Sequence, residues 1–328
     1  RNEIDSLLKY TEKIGISLAR LPKISELNKA QDNNSNETRP IDIEDLLGRA
    51  ETRFDKKDLE KLISNKTILI TGAGGTIGSE LANQISDMSP KNVILSDYSE
   101  YALWNITDKI TSKINEAKLS SILLDVRDKH AVDKVFKEES PDIVLHAAAL
   151  KHVPICEKHP ADAMKTNILG TKNVSETAIK YKTKIMVLIS TDKAVDPTNF
   201  MGASKRAAEI YIQNLDKENS ITNFVTVRFG NVLGSTGSVI PLFQKQIKRG
   251  GPLKVTHKDT TRFFMWVKEA VELVLISLSS SVNKKEKGYI NVLEMGEPMK
   301  IDNLAKQLAR LSGLTPGKDI EIIYTGLR

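Results

Sequence analysis

One short segment restricts this chain more than any other. Thr67-Ile68-Leu69-Ile70 is an apolar run, and it stops at Gly72-Ala73-Gly74-Gly75-Thr76-Ile77-Gly78, after which Ile77, Leu81 and Ile85 recur at helical spacing. A strand that ends in a glycine loop and reopens as a helix is the start of a parallel βαβ unit. Glycine lets the chain turn tightly and lets backbone N–H groups approach a pyrophosphate, and the helix N-terminus adds a favourable dipole. Turns also use glycine for steric reasons alone, so the weight lies in the strand–loop–helix context. Gly72, Gly75, Thr76, Ile77 and Gly78 are the candidate cofactor contacts of this loop.

The alternation continues. Val93-Ile94-Leu95, Ile122-Leu123-Leu124, Ile143-Val144-Leu145 and the runs at 185–189 and 224–227 are separated by helical stretches. Apolar strands alternating with helices imply a parallel sheet covered on both faces. Right-handed crossovers then give an α/β, doubly wound Rossmann-type domain. After about Asn231 the alternation breaks down. Loops, a helix near 268–279 and another near 301–311 predict a smaller C-terminal substrate lobe. The expected division is 1–60 as an N-terminal arm or linker, 61–235 as the cofactor-binding Rossmann domain and 236–328 as the substrate-binding lobe. In the arm, helical stretches near 4–14 and 43–49 flank the turn-rich Gln31-Asp32-Asn33-Asn34-Ser35-Asn36. With no initiator Met and no signal-peptide pattern, the chain is expected to be a processed or truncated piece.

Charge and composition narrow the partners. The net charge is +6, from 48 basic and 42 acidic residues. The basic residues are spread rather than gathered into a patch or tail, which argues against a nucleic-acid partner. No apolar run approaches the ~18 residues of a membrane span. Cys156 is the single cysteine, so an internal disulfide is excluded, and nothing in the sequence activates its thiol. No Cys/His cluster suggests a metal.

Beyond the glycine loop, Asp97 ends the second strand, where a carboxylate accepts hydrogen bonds from ribose hydroxyls and repels a 2′-phosphate; this predicts NAD rather than NADP. Asp125 and Val126 end the third strand and could meet the adenine. Ala147 and Ala149, after the fourth, are small enough for backbone to lie against a flat cofactor, although alanine also packs helices on sheets. His146 reads as a core residue. Ser190-Thr191-Asp192-Lys193 follows the fifth strand, at the carboxyl edge where ligands bind. Met201-Gly202-Ala203-Ser204-Lys205 sits on a helix, with Met201 and Lys205 on one face.

These motifs resemble the extended short-chain dehydrogenase/reductases, and among them the long, membrane-associated UDP-N-acetylglucosamine 4,6-dehydratases of bacterial polysaccharide and glycan synthesis. The resemblance covers about 39–328. It rests on Arg39-Pro40-Ile41-Asp42-Ile43-Glu44-Asp45-Leu46-Leu47-Gly48-Arg49, the glycine loop, Ala147-Ala148-Ala149-Leu150-Lys151-His152-Val153-Pro154, Ser190-Thr191-Asp192-Lys193-Ala194-Val195, the 201–205 segment and Arg228-Phe229-Gly230-Asn231-Val232-Leu233-Gly234-Ser235. In the wider superfamily a Tyr stands four residues before the Lys as acid/base. This chain has Met201 there, and a thioether exchanges no proton at neutral pH. The resemblance says that this branch carries Met, and the Thr191-Asp192-Lys193 cluster is the available replacement.

The resemblance implies three steps on a UDP-sugar: hydride transfer from C4 to NAD, loss of the C5 proton with the C6 hydroxyl as water, and hydride return to C6. Asp192 is assigned as the acid at C6 and Lys193 as the base at C5, roles that need a protonated carboxyl and a neutral amine. Lys205 is expected to bind the nicotinamide ribose and Thr191 the C4 hydroxyl. Bound water, Asp192 or Lys193 could remove the C4 hydroxyl proton. By resemblance only, Lys151 and Asn167 line the substrate side. Asn231 follows the sixth strand toward the sugar diphosphate, and Arg262 is a diphosphate candidate because guanidinium pairs phosphate oxygens bidentately, the alternative being a surface ion pair. A C4 epimerase of the same fold and a non-catalytic NAD-binding scaffold are the rival readings. The relatives imply a membrane-tethered whole protein, with its catalytic part on the cytoplasmic, inner face. A homo-oligomer is compatible with the sequence.

Overall fold

The computed structural model describes residues 6, 7, 10, 11, 19, 20, 39, 40 and 56–326, apart from 115–116, 236–237 and 283–285. Residues 6, 7, 10 and 11 are helical, within the expected 4–14 stretch. The expected helix at 43–49 and the linker at 31–36 lie outside the described residues.

Seven parallel strands form the main sheet: β1 (Thr67–Thr71), β2 (Asn92–Asp97), β3 (Lys118–Leu123), β4 (Ile143–His146), β5 (Ile185–Thr191), β6 (Asn223–Phe229) and β7 (Ile290–Val292). Their order across the sheet is β7-β6-β5-β4-β1-β2-β3, so the chain winds outward from β1 in one direction, then returns and winds in the other. This is the doubly wound Rossmann-type arrangement. β1, β2 and β4 are buried along their whole length, which is why they read as continuous apolar runs.

Helices α1 (Thr76–Ser86), α2 (Glu100–Thr111), α3 (Lys129–Glu139), α4 (Thr171–Lys180), α5 (Phe200–Glu218) and α6 (Val267–Ser281) cover the sheet. Several start on capping side chains, which satisfy backbone donors that a helix leaves open. Ser99 accepts from Ala102 N, Asp128 from His130 N and Ala131 N, and Asn199 from Gly202 N. Helices α3, α4 and α5 share a core with the central strands, in which Phe136, Val174 and Ile212 meet Leu69, Val144 and Met186. Helix α1 packs against α2 and α6.

Two sequence expectations need correction. The third strand is not the 122–124 run but Lys118–Leu123, with Ser120 and Ser121 at its centre. It is an edge strand with partly exposed residues, so it lacks the apolar density of the inner strands. Nor does the alternation end at Asn231. The described residues divide into two units, and Val267–Met295 returns to the larger one, with Arg53–Gly230. There α6 packs on β6, and β7 pairs in parallel with β6. A single cut after 235 misses this return because the strand and its predecessor are separated by a long excursion.

That excursion, Asn231–Trp266, joins Gly296–Arg328 in the smaller unit. Its core contains Phe243, Leu253, Phe264, Leu304 and Leu308, contributed in part by the helices Val239–Lys248 and Ile301–Leu311. Among the described residues no helix is long and apolar enough to cross a membrane.

Replacing the fully buried Phe136 by Ala is expected to cost about 3–5 kcal/mol of unfolding free energy. Leu123→Ala, at an exposed position on the edge strand, should change it by less than about 0.5 kcal/mol. Urea denaturation checks both, and equal effects would mean that the helix–sheet core is misplaced.

Candidate active site

The glycine loop leaves β1 at Thr71, turns at Gly72 with φ +67°, and enters α1 after Gly75. A Cβ on Gly72 would stand 2.6 Å from Ala148 N, and one on Gly78 would stand 2.1 Å from Gly72 O. Both glycines are thus required by the protein's own backbone. Gly75 differs: a Cβ there would meet only Gly72 O, at 3.2 Å. The helix that follows has no side-chain cap. A helix start that follows a glycine and has no side-chain cap is a place where backbone N–H groups can hold the pyrophosphate of a dinucleotide.

Asp97 is only 8% exposed and is bound to this loop. Its Oδ2 accepts from Gly74 N at 3.0 Å and its Oδ1 from Ser99 N at 2.9 Å. A carboxylate oxygen has two lone pairs, so further acceptance by each is allowed. The sequence reading passed over Gly74, whose Cβ would stand 2.5 Å from Ala102 Cβ. Next along the edge, Arg127 grips Asp125, with Nη2 at 2.6 Å from Oδ2, and this hydrogen bonding holds the Asp125 carboxyl below the usual range. The Val126 side chain is core, while its carbonyl accepts from Asn173 Nδ2 at 3.0 Å. Ala147 extends the sheet, its N–H donating to Thr71 O, and Ala147 and Ala149 are half-buried.

Between β1 and the helices lies a buried relay. Thr171 donates its one hydroxyl hydrogen to Asn167 O at 2.7 Å, so toward His146 Nε2, 3.1 Å away, it acts as acceptor. That assigns the proton to Nε2 and leaves Nδ1 to accept from Thr71 Oγ1 at 2.7 Å. Burial, reinforced by the charge of Lys205, pulls the His146 pKa down to about 3.

Asn167 lies in a π-helical turn, Lys165–Gly170, and is 0% exposed. Its side chain exchanges hydrogen bonds with the Leu150 backbone, at 2.8 and 3.0 Å, and donates to Ser204 Oγ at 2.9 Å. The expectation that it lines the substrate side is corrected: its amide is committed to protein groups and pins Leu150 to α5. Lys151, the next residue, is exposed, and desolvation of its amine lowers its pKa.

Thr191 ends β5, and a 3-10 turn, Asp192–Ala194, follows. Asp192 Oδ1 receives both the Thr191 hydroxyl, at 2.9 Å, and the Lys193 ammonium, at 3.1 Å. Both charged side chains are partly accessible. Helix α5 starts against this turn, since a Cβ on Gly202 would be 2.3 Å from Lys193 O. Met201 is 3% exposed and packs with Cys156 and Ala163. Met201, which stands at the position of the superfamily's catalytic Tyr, therefore has a packing role in the structure, its thioether enclosed by apolar groups. Burial and the nearby Glu157 push the Cys156 thiol up. Lys205 is no solvated helix lysine: it is 5% exposed, and its Nζ donates to Ile189 O at 2.6 Å. Burial lowers its pKa to about 8.

Asn231 and Arg262 belong to the smaller unit. Asn231 pairs with Phe264, and its N–H donates to Phe263 O. Arg262 is exposed on the two-residue strand Thr261–Arg262, its guanidinium donating to Thr261 O at 2.8 Å.

A family model described as "Polysaccharide biosynthesis protein" matches residues 68–328. The chain belongs to this polysaccharide biosynthesis protein family. Across all 328 residues it is 44% identical to the capsular polysaccharide biosynthesis protein CapD of Staphylococcus aureus, covering 53% of that protein. The chain therefore spans about half the length of this curated relative. It is 41% identical over 277 residues to the uncharacterized membrane protein MJ1061 of Methanocaldococcus jannaschii, covering 83% of this chain and 80% of that one. It is 39% identical over 217 residues to a UDP-glucose 4-epimerase of Rickettsia bellii, covering 64% and 62%. Among solved structures, Pen from Bacillus thuringiensis superposes with a TM-score of 0.73 at 34% identity, covering 81% of this chain and 78% of that one.

The neutral His146 has a consequence for stability. Between its ordinary value near 6.5 and about 3, the unfolded chain binds a proton that the native one refuses, so stability falls as pH drops through this window. From pH 7 to pH 5 this contribution is roughly 2 kcal/mol. Denaturation of wild type and His146→Gln at both pH values should show a slope shallower by about that amount in the variant; parallel slopes would mean that His146 protonates normally.

Proposed function

We propose that this chain is an NAD-dependent enzyme acting on a UDP-sugar, and that its common chemical step is reversible oxidation at sugar C4. The observation that carries this reading is the meeting on one sheet edge of two parts: a glycine loop pinned by Asp97, and a turn that presents Thr191, Asp192 and Lys193 beside the helix bearing Lys205.

The residues divide the work as follows. The first turn of α1, with Gly75, Thr76, Ile77 and Gly78, holds the pyrophosphate, and Asp97 takes the adenosine ribose, which selects NAD over NADP. Asp125 and Val126 border the adenine; Ala147 and Ala149 leave room for the dinucleotide. Lys205 binds the nicotinamide ribose, and its charge favours hydride departure from the sugar. When bound, NAD supplies the hydride acceptor. Thr191 donates to Asp192 and accepts from Lys193 N, so its oxygen keeps one lone pair to accept from the C4 hydroxyl. One proton moved from Lys193 to Asp192 along their 3.1 Å contact turns the ion pair into a carboxylic acid beside a neutral amine. A bound sugar that excludes water favours this neutral form. Because the two groups share the proton, acid and base roles belong to the pair. Lys151, Asn231 and Arg262 are the proposed substrate contacts.

Two outcomes follow C4 oxidation. Return of the hydride to the other face of C4 is epimerisation, and the relative named UDP-glucose 4-epimerase favours it. Loss of water across C5–C6, with hydride return to C6, is 4,6-dehydration, and UDP-N-acetylglucosamine is its proposed substrate. The Asp192–Lys193 pair favours this second reading, since only dehydration requires an acid for C6 and a base for C5. The whole protein is proposed to be membrane-tethered, with this part on the inner face; the relative named a membrane protein supports the tethering.

Incubation with NAD and either UDP-glucose or UDP-N-acetylglucosamine tests the reading by product mass and NMR. An isomer of unchanged mass identifies epimerisation, and loss of one water identifies dehydration. Asp192→Asn and Lys193→Ala are each expected to lower turnover by at least about 100-fold, with NAD affinity nearly unchanged. Failure to convert either sugar, or unimpaired turnover in both variants, would refute the proposal.

A further inference from the structure

Glu209 has no part in the chemistry above, yet at 0% exposure it is the most enclosed charged side chain among the described residues. It lies on α5, one turn beyond Lys205. Its carboxylate collects donors from three elements. Ser190, the residue before Thr191 on β5, donates its hydroxyl to Oε1 at 2.6 Å. Arg228, on β6, brings Nε to Oε1 at 2.7 Å and Nη2 to Oε2 at 2.5 Å. Arg206, on α5 itself, reaches Oε2 at 3.1 Å. A buried carboxylate is tolerated only when it is paired and hydrogen-bonded, and here both oxygens are met.

The position of Ser190 gives this cluster its reach. On one side of it stands Ile189, whose carbonyl receives the Lys205 ammonium. On the other stands Thr191, which donates to Asp192. Any displacement of Ser190 moves both. The titratable groups that feel the Lys205 charge are His146 on β4 and Glu209 on α5; Glu209 is itself paired with Arg228 on β6 and Arg206 on α5, and the Asp192–Lys193 pair follows the strand whose Ile189 carbonyl Lys205 meets. His146 is neutral above about pH 3. Glu209 is the negative charge that opposes the effect of burial on Lys205.

We propose that Glu209 is a positioning residue, which fixes the end of β5 against α5 and maintains the charge of the Lys205 ammonium. The use of that charge toward a dinucleotide rests on the cofactor reading above; the clamp itself does not.

The direct test is an NMR titration of protein carrying ¹³C-labelled lysine, with the Lys205 signal identified by its loss in Lys205→Arg. The wild-type midpoint is expected at about 8. Glu209→Gln, which keeps the shape and removes the charge, should lower it by about one pH unit. A folded Glu209→Gln protein with an unmoved midpoint overturns the proposal. If the stranded Arg228 guanidinium prevents that variant from folding, Glu209→Gln/Arg228→Gln removes both charges. Its midpoint should fall below that of Arg228→Gln alone, and equal midpoints in those two variants again overturn the proposal. NAD affinity measured on the same samples separates the two readings. Wild type that binds no NAD, with the midpoint still lowered by Glu209→Gln, refutes the cofactor reading and leaves the role of Glu209 standing.

Discussion

A strand buried on both faces leaves little room for unpaired polar chemistry, and that constraint organises this protein. Inside β1, β2, β4 and β5, apolar side chains fill the core and backbone groups are used in pairing. Polar side chains with work to do therefore gather where pairing runs out. Asp97 closes β2, His146 closes β4 and Thr191 closes β5. Because all seven strands are parallel, these ends share one edge. The clustering of titratable groups is thus a consequence of sheet topology, and the groups need not be near one another in sequence.

Hydrogen bonds then tie that edge together from below. Thr71 at the mouth of the glycine loop reaches His146, which reaches Thr171 and through it the π-turn carbonyl of Asn167. The Asn167 amide continues to Ser204 on α5. A neutral imidazole suits this place because it is at once donor and acceptor, and a charged one would be only a donor. The loop that fits a pyrophosphate and the helix that carries Lys205 are in this way parts of one polar network. A fully satisfied network of this kind rigidifies its members.

In the function proposed above, the Asp192–Lys193 contact is the feature on which chemical outcome turns. That proposal needs the pair as acid and amine, which has the same proton count as the ion pair seen in the structure. Epimerisation can proceed with the pair as bystanders, because oxidation and re-reduction at C4 leave C5 and C6 untouched. Family membership does not choose between these outcomes.

The alternating apolar runs and the glycine loop were sufficient for the α/β class and for the inner strands, because buried strands must be apolar and a strand–glycine–helix junction has few other uses. They were insufficient where a strand lies at an edge, as at Ser120 and Ser121, or returns after an excursion, as at Ile290–Val292. The 191–193 cluster and Lys205 could be singled out in sequence because polar residues just after a parallel strand, and a lysine on the following helix, form a local pattern. What only the tertiary structure decided is the direction of each side chain: Asn167 turns inward to Leu150 and Ser204, Met201 packs on Cys156, and Ser190, Glu209 and Arg228 converge from β5, α5 and β6. Sequence spacing carries information along one element, whereas these contacts depend on how separate elements are brought together by the sheet.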